Sequence, residues 1–206
     1  QADENFSLYL LNYDEIGFEE ADQLYAQRFQ ENLSDTFILT EDIRRLLVSS
    51  NAPEVQINAV GQIEQLATET DALFIETIQL LKQRGLQDDG TVGQFQSQLR
   101  TFESNISFLD NQQLNIDLLL LSNAQKDYLL LSNEQNETAV RDVLGSLTAN
   151  IQNLEQLSTS EKNNLTSLVD NYEANFDLLI NINNAIIANQ LRFDELVEDT
   201  EPIAES

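Results

Sequence analysis

The stretch 165–197, LTSLVDNYEANFDLLININNAIIANQLRFDELV, decides the fold class. Leu165, Leu168, Tyr172, Phe176 and Leu179 recur at steps of three and four, and the seam continues through Asn183, Ile186, Gln190, Phe193 and Val197. That spacing sets all ten on one face of an α-helix, in a run that holds neither glycine nor proline. Further out, Phe95, Leu99, Phe102, Ile106 and Leu109 repeat the stripe, as do Val140, Leu144, Leu147, Ile151 and Leu154. No useful period-two alternation competes. Six Gly and two Pro in 206 residues are too few for the repeated turns of a β-sandwich or of βαβ units, so the chain reads as all-α.

Punctuation divides it. Ser49-Ser50-Asn51-Ala52-Pro53 sets polar breakers before a proline suited to a first helical turn, and Gly85 to Gly93 (GLQDDGTVG) is the longest glycine-containing loop. Capping residues at Ser132-Asn133-Glu134-Gln135 and Ser158-Thr159-Ser160-Glu161 mark two more boundaries. The helical segments are then 5–49, 53–84, 93–132, 135–157 and 161–200. At about 1.5 Å per residue the first would be roughly 65–70 Å long, the fourth about 33 Å and the last near 60 Å, too unequal for one uniform bundle. An up-and-down chain returning to one membrane face also needs an even number of helices. One of the five is therefore expected to break, at Asn105 to Asn115 or at Thr68 to Asp71. The expected architecture is an elongated antiparallel bundle of six helices, arranged as two stacked four-helix bundles that share long helices.

Composition narrows the function. Ten Lys plus Arg against 36 Asp plus Glu give a formal net charge of −26, and the chain has no His, Cys, Met or Trp. The usual zinc ligands, Ser-His-Asp or Cys-His nucleophile systems and the Glu-x-x-His di-iron pair are excluded. The charge repels a phosphate backbone, so nucleic acid is not an expected partner. No paired carboxylate motif specifies a reaction, and neither enzymatic activity nor a cofactor is expected. Asp88-Asp89-Gly90 lacks the spaced ligands of a calcium loop and reads as a turn. No stretch reaches the roughly 20 apolar residues of a membrane span. The chain opens at Gln1, which reads as a piece of a longer protein whose membrane segments lie outside these residues.

Residues 124–145, AQKDYLLLSNEQNETAVRDVLG, resemble the turn and following helix of bacterial extracytoplasmic all-helical sensor domains, departing where that pattern's usual Arg and Glu are replaced, with Gln125 just before Lys126. Tyr172-Glu173-Ala174-Asn175-Phe176 fits the continuation. The tail Phe193 to Ala204, FDELVEDTEPIA, resembles the acidic segment that precedes a second transmembrane helix. Such domains belong to methyl-accepting chemotaxis proteins and some histidine kinases, in helical bimodular or four-helix-bundle form. The resemblance implies a periplasmic, single ligand-binding sensor domain over 1–206, anchored by flanking membrane helices and homodimeric. It also implies a small ligand held between helices, with organic acids as known ligands. The alternative is a helical protein-interaction module.

A ligand pocket in a bundle should interrupt the apolar seam with polar residues. Asn183 and Gln190 do so in the last segment, Asn123 and Asp127 on the extended Phe95 stripe, and Asp22 and Asn32 in the first segment. A carboxylate ligand would want a forked guanidinium. Lys126 and Arg141 lie about eight residues either side of the turn near Asn133, which sets them at similar height on adjacent antiparallel helices, roughly 10–12 Å from the turn. Arg44 and Arg45 come next, because four-helix sensors often use Arg there. The negative field of the whole chain favours an amine instead, whereas local Arg contacts favour a carboxylate. The carboxylate is preferred and the amine stays open.

Overall fold

A computed structural model describes residues 2–109 and 111–204, without the side chains of residues 201, 202 and 204, so Glu201 of the acidic tail lies outside it. Among the described residues every element is helical and none is a strand. There are seven helices: α1 (Ala2–Ile16), α2 (18–49), α3 (Glu54–Arg84), α4 (Gly90–Ser107), α5 (Gln112–Leu130), α6 (Glu134–Asn153) and α7 (Thr159–Ala204). Within α2 a π-helical turn, Asp22–Ala26, joins Phe18–Ala21 to Gln27–Ser49 without a break.

Seven replaces the expected six because two segments break. The break inside 105–115 occurs where expected: α4 ends at Ser107, and the Asn111 side chain caps α5 by accepting the Leu114 N–H at 3.0 Å. Thr68 to Asp71 stays helical. Its threonines are accommodated by back-bonding, Thr68 to the Glu64 carbonyl and Thr70 to the Leu66 carbonyl, both at 2.8 Å. The unforeseen break is Gly17, at φ 85° and ψ 160°, a backbone conformation open essentially only to glycine.

A single helical stripe through Leu8, Leu11, Phe18, Tyr25, Phe29, Ile43 and Leu47 would be continuous along 5–49, but Gly17 and the π turn interrupt its phase. Leu11 is 71% exposed, while the buried set is Asn5, Phe6, Tyr9, Ala21, Phe29, Leu33 and Thr40. The other boundaries follow their capping chemistry. Asn133 accepts the Asn136 N–H at 2.9 Å. Ser158 and Glu161 form a reciprocal capping box, Ser158 N–H to Glu161 Oε2 at 2.8 Å and Glu161 N–H to Ser158 Oγ at 3.3 Å. The Ser158 hydroxyl, donating to Glu161 Oε2 at 2.7 Å, and then the Ser158 N–H hold the Glu161 carboxyl below its ordinary range. In the 85–89 loop Gly85 sits at φ 77°, where a Cβ would lie 2.0 Å from the Asp89 carbonyl oxygen.

The chain forms two compact units, the first from residues up to Lys82 together with those from Ala185 onward, the second from Gln83–Asn184. In the second, α4, α5, α6 and the first part of α7 surround one apolar core that includes Phe95, Phe102, Leu121, Leu147, Tyr172 and Phe176. Here α5 and α6 run antiparallel, as shown by Asn136 bonding the Asp127 carbonyl near the turn and Asn150 bonding Asp117 far from it. In the first unit α1, α2, α3 and the last part of α7 contribute one phenylalanine each to an aromatic centre. Phe29 stacks on Phe74 at 3.7 Å between ring centroids, and Phe6 lies 4.1 Å from Phe193. The seam of α7 is buried or half-buried at every position from Leu165 to Val197 that its spacing marked.

Candidate functional site

The second unit closes its polar seam residues upon one another. Asn183, 8% exposed, accepts from Arg84 Nε at 2.9 Å and donates from Nδ2 to the Tyr128 and Ser132 hydroxyls, each at 3.1 Å. Deeper in, the buried Tyr172 hydroxyl donates to Gln125 Oε1 at 2.9 Å. Burial pushes the Tyr128 and Tyr172 phenols above the ordinary tyrosine range, so both remain neutral at physiological pH. A third buried polar group escaped the sequence reading. Asp117 accepts from Asn150 at 2.6 Å and from Gln113 at 3.1 Å. A carboxylate next to four leucines gives no sequence signal of burial, because the shorter of its two amide contacts comes from Asn150, 33 residues away.

The other expected site residues of this unit separate. Asn123 and Asp127 are exposed, since the break at 108–111 resets the helical phase that was extended through it. Lys126 is exposed and makes no ion pair among the described residues, whereas Arg141 turns toward α7. Arg141 is held by Asp177 at 2.7 Å, Glu137 at 3.0 Å and Glu173 at 3.5 Å, with its guanidinium 5.6 Å from the centre of the Phe176 ring. Its hydrogen bond to Asp177 raises an already high pKa. The pair expected to grip a carboxylate shares no bond, and Arg141 is occupied by three carboxylates of the chain itself. Arg44 and Arg45 are occupied too, Arg44 by Glu64 and Arg45 by Glu41 and Asp42. Arg84 is different. Its Nε is anchored on Asn183, it is half-buried, and its two terminal nitrogens carry no ion pair or hydrogen bond among the described residues.

The first unit leaves space instead. A cleft of about 610 Å³ opens among its four helical segments, a size suited to a small molecule. Its floor is Leu33 from α2, Ile63 and Ala67 from α3, and Phe193 and Val197 from α7, with Leu39 at the rim. Its polar groups are Asp3, Asn32, Asp35, Thr36, Thr70 and Thr200. Asn32, one of the polar seam residues of the first segment, is in this wall. The other, Asp22, lies in the π turn, where it accepts from Tyr9 at 2.8 Å and Lys82 at 2.5 Å. Burial, reinforced by this bond to a carboxylate, pushes the Tyr9 phenol upward. Gln190 is half-buried and makes no hydrogen bond among the described residues.

The chain matches no protein-family model, no curated protein and no solved structure. Among the described residues no helix is long and apolar enough to cross a membrane, and no cluster of acidic groups is arranged to hold a metal.

Proposed function

We propose that the chain is the extracytoplasmic, periplasmic ligand-binding domain of a transmembrane chemoreceptor, a non-enzymatic helical sensor that takes a small molecule between its helices. The observation that carries this reading is the cleft of about 610 Å³, bounded by α1, α2, α3 and α7 of one compact unit. A ligand touching four helices at once binds one packing of those helices better than another, which is the differential affinity a helix-displacement signal requires. The same reading takes the two compact units as the two four-helix modules of a bimodular sensor, anchored by flanking membrane helices and working as a homodimer, with chemotaxis or histidine-kinase output. An organic acid would bind outside this cleft, in the second unit, where the Nε of Arg84 is oriented by Asn183 and its terminal nitrogens remain for a carboxylate.

A thermal-shift screen of organic acids, amino acids, amines and inorganic anions at low and high salt tests the proposal. A ligand bound only by the folded state raises the melting temperature by an amount that grows with the logarithm of one plus its concentration over Kd. A dose-dependent rise with one chemical class is the expected outcome. Where that class is organic acids, Arg84→Lys, which keeps the charge and loses the fork, should abolish the rise. Silence across the panel with a folded, helical protein would replace the sensor reading with the interaction-module reading. That alternative is favoured by the stripe Leu39, Ile43 and Leu46 on α2, which is exposed at three successive helical positions one turn apart.

A further inference from the structure

We infer that the cleft of the first unit selects protonated organic amines, compounds with one ammonium head and an apolar body. The inference rests on the sensor reading for its biological purpose and on the cleft's side chains for its chemistry. Three threonines face the cleft, and each has already spent its hydroxyl proton on its own helix: Thr36 on the Asn32 carbonyl at 2.9 Å, Thr70 on Leu66 and Thr200 on Leu196, both at 2.8 Å. A hydroxyl that donates to its i−4 carbonyl presents only oxygen lone pairs outward.

Asp3 and Asp35 add carboxylates, which accept and never donate when ionised. Asp3 also accepts the Glu4 N–H at 2.8 Å, whereas Asp35 makes no hydrogen bond or ion pair among the described residues, so Asp35 is the carboxylate most open to a ligand charge. Among the described lining residues there is no lysine or arginine. Asn32 can present either end of its amide, so every other polar side chain of the cleft is an acceptor. A carboxylate ligand would meet oxygen lone pairs with no counter-charge, whereas an ammonium brings three N–H donors to them. Leu33, Ile63, Ala67 and Phe193 beneath supply apolar contact for the rest of the molecule.

The sharpest test titrates the whole chain by calorimetry and thermal shift, at 0.15 M and 0.5 M salt, with butylamine and phenethylamine. Butyrate and 3-phenylpropionate serve as shape-matched anions, and tetramethylammonium as a cation without N–H donors. Saturable binding of at least one primary amine at one site per chain is expected, with the matched anions silent and tetramethylammonium markedly weaker. Asp35→Asn should weaken the amine about fivefold. Thr36→Val combined with Thr70→Val, which removes two oxygens while keeping shape, should weaken it about tenfold. Circular dichroism checks that both variants keep their helicity. Equal amine binding by both folded variants would identify condensation on a −26 surface and overturn the inference. Binding of the matched anion, lost in the same variants, would overturn the amine selectivity while leaving the sensor reading standing. Silence of every compound in this set and in the broader screen would remove both.

Discussion

The two compact units solve the same packing problem to different depths. In the second, twenty-one buried apolar side chains form one cluster; in the first, the cluster around the four phenylalanines has six. Each unit draws on four helical segments, so the number of helices does not account for the difference. It comes from what fills the seam. The second unit fills polar seam positions with groups that satisfy one another, Asn183 with Tyr128, Ser132 and Arg84, and Gln125 with Tyr172. The first unit has small residues along its cleft, the buried Ala67 and the half-buried Thr36 and Thr70, and leaves the volume beside them open. A polar residue on an apolar seam is therefore not by itself a ligand site. The proposed site lies where small residues line a cleft.

Removing one aromatic from each unit is the strongest way to break this comparison. Phe176→Ala and Phe74→Ala should each cost about 3–5 kcal/mol in urea unfolding. Phe176 should stand at the upper end, because its ring contacts Phe95, Tyr128 and Arg141. Hydrogen exchange should show amides of α1 and α2 opening before those of α5 and α6, and more so in the Phe74 variant. Simultaneous loss of protection in both units would show that they do not differ in local stability.

Asn183→Ala should cost roughly 1–3 kcal/mol, since it leaves the Arg84 Nε and the Tyr128 and Ser132 hydroxyls without their partner. Gln190→Ala, seven residues on along the same seam, should cost under about 0.5 kcal/mol. Equal costs, measured by denaturant titration, would mean that the seam position and not the hydrogen-bond network sets the energy.

Alkaline pH acts on both units through their tyrosines. Tyr128 and Tyr172 in one and Tyr9 in the other have phenols raised above the unfolded value near 10. For an acid whose folded pKa is raised, the associated stability is intact below about pH 10 and falls as pH climbs beyond it. The melting temperature should hold from pH 8 to about 9.5 and drop above 10. Tyr172→Phe should flatten that drop relative to the unsubstituted chain. Identical pH profiles for the variant and the unsubstituted chain would refute the assignment.

Gly17→Ala should destabilise by about 1–2 kcal/mol through backbone strain alone, since nothing lies within 4 Å of the added Cβ. The smallest effect belongs to the exposed stripe. Leu46→Ser should change stability by under about 0.5 kcal/mol, and a larger loss on thermal melting would mean that this 68%-exposed side chain is covered in solution.

Much of this architecture was legible as one-dimensional pattern. The seams of α4, α6 and α7, the break before Asn111 and the caps at Asn133 and Ser158 all depend on neighbours within four residues, where i, i+3 and i+4 geometry is local. Gly17 was readable in principle, yet a lone glycine is tolerated inside many helices, and only the backbone conformation it adopts reveals a break. The candidate site was much less legible. Asn183 was identifiable as a polar residue on an apolar face, and Asn32 likewise. Their opposite fates, one closed into a network and the other in the wall of a cleft, turn on partners 51 to 99 residues away for Asn183, and on side chains from α3 and α7 for Asn32. The arginines teach the same lesson. Their scarcity is a matter of composition, but which of them stays free of carboxylates depends on the nearest of 36 acids in space. Periodicity alone therefore determined that the chain is helical and which faces turn inward. Only the tertiary structure decided where charge is neutralised and where volume is left, because both are sums over neighbours that the linear order does not contain.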